Sequence, residues 1–103
     1  MSVDTVFKPL GPTTLVGVTA VQVNTNLSAG ISSYRIRNLL STVQYFAWGP
    51  STVGAPAAPT AGVPSPNTIG MLPNSVETFE LPINIYFIAG SAAAFEVTPG
   101  MGQ

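Results

Sequence analysis

The side chains able to do acid–base chemistry in this chain are few: the carboxylates of Asp4, Glu77, Glu80 and Glu96, the amine of Lys8, and the guanidinium groups of Arg35 and Arg37. Histidine and cysteine are absent. General acid–base catalysis needs two groups converging on one substrate. Glu77 and Glu80 are separated by an odd number of residues, so on a strand they face opposite sides and do not form a pair. Glu80 and Glu96 could meet across strands, but an edge charge that blocks sheet-to-sheet aggregation is the simpler role. Serine and threonine are plentiful, yet a hydroxyl nucleophile needs an activating base, and Lys8 is the single lysine. Gly100-Met101-Gly102 has no following sequence to supply the helix that phosphate loops require. The residues therefore point away from an enzyme. They assign no catalytic residue, no metal ligand and no cofactor.

Two groups of residues are better suited to contact. Arg35 and Arg37 share one face of a strand and could grip a neighbour's carboxylates bidentately, or pair loosely with Glu77, Glu80 or Glu96 on their own sheet. Tyr45, Phe46 and Trp48 form an aromatic cluster, which can belong to the core or anchor an interface.

The elements that would position these residues are strands. Of 103 residues only 7% are charged while 46% are apolar, and the apolar residues fall in short β-branched and aromatic runs broken by Gly, Pro, Asn and Ser. The expected runs are residues 3–8, 14–18, 20–24, 34–40, 43–48, 76–81, 85–89 and 93–98. Residues 14–24 could form one strand bent near Gly17, and residues 24–33 read as a loop. Tyr34, Ile36, Asn38 and Leu40 alternate with Arg35 and Arg37, which predicts one buried and one polar face. Val43, Tyr45 and Ala47 oppose Gln44, Phe46 and Trp48, so that strand should be central or touch a partner. Phe79, Leu81, Ile83, Ile85 and Phe87 share one parity, and Pro82, which cannot donate a ladder hydrogen bond, is expected to mark a corner at residues 82–84. The last strand should end before a Pro99-Gly100 turn. About eight short strands with segregated faces predict a single all-β domain over residues 1–103, a small antiparallel β-sandwich or jelly-roll-like barrel.

Residues 49–67 hold Pro50, Pro56, Pro59, Pro64 and Pro66 among Ala, Gly, Ser and Thr, a composition that sustains neither ladder nor helix. Long structureless loops in compact domains are usually functional. This loop and an N-terminal arm, residues 1–12, are expected to order on a neighbouring subunit. The candidate interface residues are then Arg35, Arg37, Trp48, Pro50, Pro56, Pro59 and Pro64.

A net charge of −1 with no basic stripe disfavours nucleic acid. The lack of self-repulsion favours association, as a homodimer or homotrimer. No run is long enough for a membrane helix or for the strands of a membrane barrel, so no membrane partner is expected. Residues 1–10 lack the pattern of a signal peptide, which argues for synthesis in the cytoplasm, and makes the Asn26-Leu27-Ser28 sequon a chance match. Without cysteine, stability must come from packing or assembly.

Tyr-Arg-Ile-Arg-Asn at 34–38, Tyr-Phe-Ala-Trp-Gly at 45–49, Val-Glu-Thr-Phe-Glu-Leu-Pro at 76–82 and Phe-Glu-Val-Thr-Pro-Gly-Met-Gly at 95–102 carry a resemblance. The chain resembles small virion proteins of tailed bacteriophages, the head decoration or cement proteins among them. Their first half carries R-x-x-N and F-x-x-G-S, their second G-x-x-E-x-F-x-L-P, and they end in V-T-P-G-x-G. The match departs before Glu77, where Leu72-Pro73-Asn74-Ser75 lacks the glycine, and at Met101, where an acidic residue is common. The resemblance implies a structural protein made in the bacterial host cytoplasm and located on the capsid exterior. There it would bind the major capsid protein and staple neighbouring capsomers. The alternative is a carbohydrate- or receptor-binding β-domain of a phage tail or surface appendage, with Tyr45 and Trp48 stacking on sugars.

Overall fold

The computed structural model describes residues 7–24, 30–50 and 67–101. Among these residues nine strands form: β1 (Lys8–Pro9), β2 (Thr14–Val16), β3 (Val21–Gln22), β4 (Ile31–Asn38), β5 (Gln44–Gly49), β6 (Thr68–Met71), β7 (Val76–Pro82), β8 (Tyr86–Ala89) and β9 (Phe95–Met101). All pairings are antiparallel. One sheet has the order β1-β9-β4-β7, with β2 beside β1 on the same edge of β9; the other has the order β3-β8-β5-β6. Strand pairs nest as β2–β9, β3–β8, β4–β7 and β5–β6, while β4–β9 and β5–β8 close the two sheets. That winding is a jelly roll, two sheets packed face to face with alternate residues of each strand turned inward.

The core follows the expected parities. Tyr34 and Ile36 of β4 and Phe95 and Val97 of β9 pack from the first sheet against Phe46 of β5 and Phe87 and Ala89 of β8 from the second. Phe46 sits at the centre, its ring centroid 5.4 to 5.8 Å from those of Phe79, Phe87 and Phe95. Tyr34 meets Phe87 edge-on at 5.2 Å. Edge-to-face packing of this kind adds about 0.5–1.5 kcal/mol per pair beyond burial alone.

Several boundaries differ from expectation. Residues 14–24 are not one bent strand, because β2 joins the first sheet and β3 the second. The chain crosses between sheets just after Gly17, where an added Cβ would lie 3.1 Å from the Ala93 nitrogen. β4 starts at Ile31, inside the expected loop, and β6 was not foreseen.

Both prolines expected to break strands lie inside them. Asn38 N–H donates to Ser75 O and Ile83 N–H to Gly30 O, so odd-numbered residues of β7 bond to β4 and the Pro82 nitrogen faces the open edge. By the same logic, Leu39 N–H to Ala94 O turns the Pro99 nitrogen away from β4. It faces the opposite edge, where the five steps from Pro9 to Thr14 span the three from Gly100 to Val97 and the partner strand bulges. At Pro82 the missing N–H costs no ladder bond; at Pro99 it falls where the partner strand bulges, and only the Pro99 carbonyl bonds across, to Leu10 N–H.

Of the expected N-terminal arm, residues 1–6 lie outside the described residues. Lys8–Pro9 is an edge strand on β9, and Leu10 N–H donates to Pro99 O at 2.8 Å. Gly100 permits this crossing, since a Cβ there would collide with the Lys8 carbonyl oxygen and the Phe7 ring.

Candidate interaction surfaces

Arg35 and Arg37 project from the outer face of β4, as their alternation with buried Tyr34, Ile36 and Asn38 requires. Each is flanked on both sides. Arg35 lies between Thr78 of β7 and Thr98 of β9, and Arg37 between Val76 and Glu96. Both arginines, Asn74, Val76, Glu96 and Thr98 line a shallow depression of about 380 Å³. Arg37 Nη1 approaches Glu96 Oε1 at 3.8 Å, with the side chains 59% and 42% exposed, so the pair is long, solvated and worth about 0–1 kcal/mol. Among the described residues no carboxylate pairs with Arg35.

The carboxylates do not converge. Glu80 is opposite Ser33 and shares the outer face, whereas Glu77 is opposite Ile36 and has the parity of the inward side. Glu80 and Glu96 cannot meet across strands because β4 lies between their strands. Glu80 sits on the edge strand β7 and Glu96 on the interior strand β9.

Trp48 and Tyr45 are on opposite faces of β5. Trp48 is opposite Phe87 and packs partly buried against the core, while an added Cβ at Gly70 would lie 2.8 Å from the Tyr45 ring on the outer side. A joint sugar-stacking platform is therefore not available, for the simple reason that the two positions differ by an odd number. Pro50 is exposed at the end of β5, and Pro56, Pro59 and Pro64 lie outside the described residues. The described candidate contact residues thus do not form one patch. The arginines belong to the first sheet, Trp48 and Pro50 to the second.

Charge is segregated in the same way. β3, β5, β6 and β8 carry no charged residue, whereas Arg35, Arg37, Glu80 and Glu96 share the outer face of the first sheet.

Asn38 has a role that its place in R-x-x-N did not reveal. It is fully buried and its Nδ2 donates to Thr42 O (3.0 Å), Leu72 O (2.9 Å) and Met71 O (3.3 Å), while Oδ1 accepts from Leu40 N–H (3.0 Å). One amide therefore ties the β4–β5 connection to the β6–β7 turn, which carries the Asn74 and Val76 wall of the depression. At the opposite end, Tyr34 Oη donates to Pro82 O at 2.7 Å, and Ser32 Oγ donates to Gly100 O at 2.9 Å. Burial pushes the Tyr34 phenol pKa up, partly offset by the backbone at Ile85 and Asn84. Among the described residues no group of His, Asp and Glu could hold a metal ion.

Comparison of the chain with protein-family models, with curated proteins and with solved structures returns no match.

Proposed function

We propose that this protein is a structural virion subunit that docks on the assembled capsid of a tailed bacteriophage and cements neighbouring capsomers. The observation that carries the reading is the charge segregation of the sandwich. Interface centres are depleted in charge because an ionised group buried without an ideal partner is costly. A sheet with no ionised side chain can be covered at no such cost, while the opposite sheet carries four charges on its outer face. The jelly roll recurs in viral coat and lectin domains, which is an analogy of fold and not of site. The motifs at residues 34–38, 45–49, 76–82 and 95–102 supply the link to decoration proteins.

In this reading residues 51–66 make the shell contact. They connect β5 to β6, both strands of the uncharged sheet. Binding only the assembled shell stabilises it by mass action, about 2.7 kcal/mol per site when free subunit is a hundredfold above its Kd. Weak sites therefore suffice when many are filled.

The test is to replace residues 51–66 by Asn-Gly and to count copies per particle by cryo-electron microscopy. Trp48 N–H donates to Asn67 O at 3.1 Å, so the shortened connection closes a ladder that already exists. Shortening also lowers the closure cost by about 1 kcal/mol, so the fold should survive. Heads should be covered in hundreds of copies by the natural chain and bare with the variant. Unchanged occupancy would reject the role of 51–66, and a few copies confined to the tail would reject the cement reading itself.

A further inference from the structure

We propose that two copies of this chain pair antiparallel through β7, joining their charged sheets into one continuous sheet about a two-fold axis at Thr78. β7 is the outermost strand of its sheet and is seven residues long, against two, three, two and four for the other edge strands β1, β2, β3 and β6. An edge of that length presents a row of backbone groups that can template a further strand.

Those groups can be named. The hydrogen bonds of Asn38 N–H to Ser75 O and of Ile83 N–H to Gly30 O turn the odd-numbered residues of β7 toward β4, so residues 76, 78, 80 and 82 present their backbone outward. Pro82 has no N–H, and its carbonyl already accepts the Tyr34 hydroxyl. Val76, Thr78 and Glu80 remain, each with both groups, and their midpoint is Thr78. A two-fold axis there sets Val76 opposite the second copy's Glu80 and Thr78 opposite its own equivalent, and all six outward groups of each copy are satisfied.

Side chains select the same register. On the outer face the second copy's Glu80 falls in the row of Val76 and Arg37, two strand spacings of about 4.8 Å from an arginine whose pairing with Glu96 is long and solvated. The two threonines form a favourable cross-strand pair, and the exposed Val76 is covered. Moving the axis to residue 77 sets the two Glu77 side chains against each other. Moving it to residue 79 sets Val76 opposite Pro82, which has no N–H to give. An isologous dimer thus has one register that meets every requirement.

The test needs only the purified chain, so its failure is distinct from failure of the capsid reading. The chain has no cysteine. Cα atoms of a hydrogen-bonded antiparallel pair are about 5.5 Å apart, within disulfide range. On mild oxidation Thr78→Cys should form a covalent dimer at least tenfold faster than Val18→Cys, a more exposed position away from β7; equal rates overturn the proposal. By sedimentation the natural chain should dimerise reversibly, and Thr78→Pro, which removes an outward N–H but no internal bond, should be monomeric with unchanged circular dichroism. Monomers of the natural chain at all concentrations, or dimers of folded Thr78→Pro, overturn it as well. Should Thr78→Pro not fold, Glu80→Lys should weaken dimerisation at least tenfold, and an unweakened dimer again overturns it.

Discussion

Replacing Asn38 tests whether one buried amide holds an end of the sandwich together. Its removal in Asn38→Ala strands the Leu40 N–H and three carbonyl oxygens, of which the Met71 oxygen is buried and those of Thr42 and Leu72 are partly buried. Counting about 1 kcal/mol for each of the three bonds at 3.0 Å or below, and little for the one at 3.3 Å, gives a loss of about 3 kcal/mol. At about 4–8 °C per kcal/mol for a domain of this size, Tm should fall by about 12–24 °C. Asn38→Asp sharpens the test because it keeps the volume and the Oδ1 acceptor but turns a carboxylate toward three carbonyls. That environment favours the protonated form, so the folded pKa lies above the unfolded value near 4. The deficit of Asn38→Asp relative to the natural chain should therefore be smallest below about pH 4 and should grow as pH rises through the folded pKa. Thermal melts followed by circular dichroism from pH 3 to 8 read both effects. A loss under 1 kcal/mol for Asn38→Ala, or a deficit of Asn38→Asp that does not change with pH, would refute the reasoning.

Three further outcomes follow from backbone and packing. Ala93 has φ of 50°, in the left-handed region that costs a residue with a Cβ about 1 kcal/mol or more, so Ala93→Gly should raise Tm by a few degrees while Ala92→Gly lowers it. Gly100→Ala drives a methyl into the Lys8 carbonyl and the Phe7 ring, which should cost about 1–3 kcal/mol and speed hydrogen exchange at the Leu10 amide, whose acceptor is Pro99 O. Tyr34→Phe loses the bond to Pro82 O, about 1 kcal/mol. Because the folded phenol pKa is raised, Tyr34 supports the fold fully below about pH 10 and loses that support as pH climbs through the folded value, so the variant should show a shallower alkaline decline in urea titrations.

Alternation made the faces of β4 legible before any coordinates, because Arg35 and Arg37 interleave with Tyr34, Ile36 and Asn38 and a strand has period two. The inward parity of Phe79, Leu81, Ile85 and Phe87 was legible for the same reason. β6 was not, since Thr-Ile-Gly-Met is short and contains a glycine, and pairing with β5 supplies what its own pattern lacks. The prolines misled in one specific way. A proline breaks a ladder only where its nitrogen faces a neighbour, and that direction depends on which strand lies on which side, information that Pro82 and Pro99 do not carry locally. That no carboxylate among the described residues pairs with Arg35 depends likewise on which strands flank β4. The separation of Tyr45 from Trp48 is different, because the odd spacing was visible and only the assumption of a shared platform hid it.

The segregation of charge is a consequence of the winding. Charged residues at 35, 37, 80 and 96 are far apart in the chain, yet a jelly roll nests β4 with β7 and closes β4 on β9, so all four arrive on one face. The complementary pairs, β3 with β8 and β5 with β6, bring together only uncharged segments. A chain with few charges can therefore have two unlike sides without any local run of like character. The two sides suit different contacts. The uncharged sheet can lose water against a large partner without stranding an ion, whereas the charged sheet ends in β7, whose edge matches a second copy of itself in both hydrogen bonding and charge. The contacts use opposite sheets, so a dimer formed through β7 keeps both uncharged sheets free. Two weak shell contacts on one rigid body then bind with far higher avidity than either alone. Thr78→Pro should accordingly lower shell occupancy more than proportionately while leaving the contact of a single subunit intact, and equal occupancy for monomeric and dimeric forms would separate the two surfaces functionally.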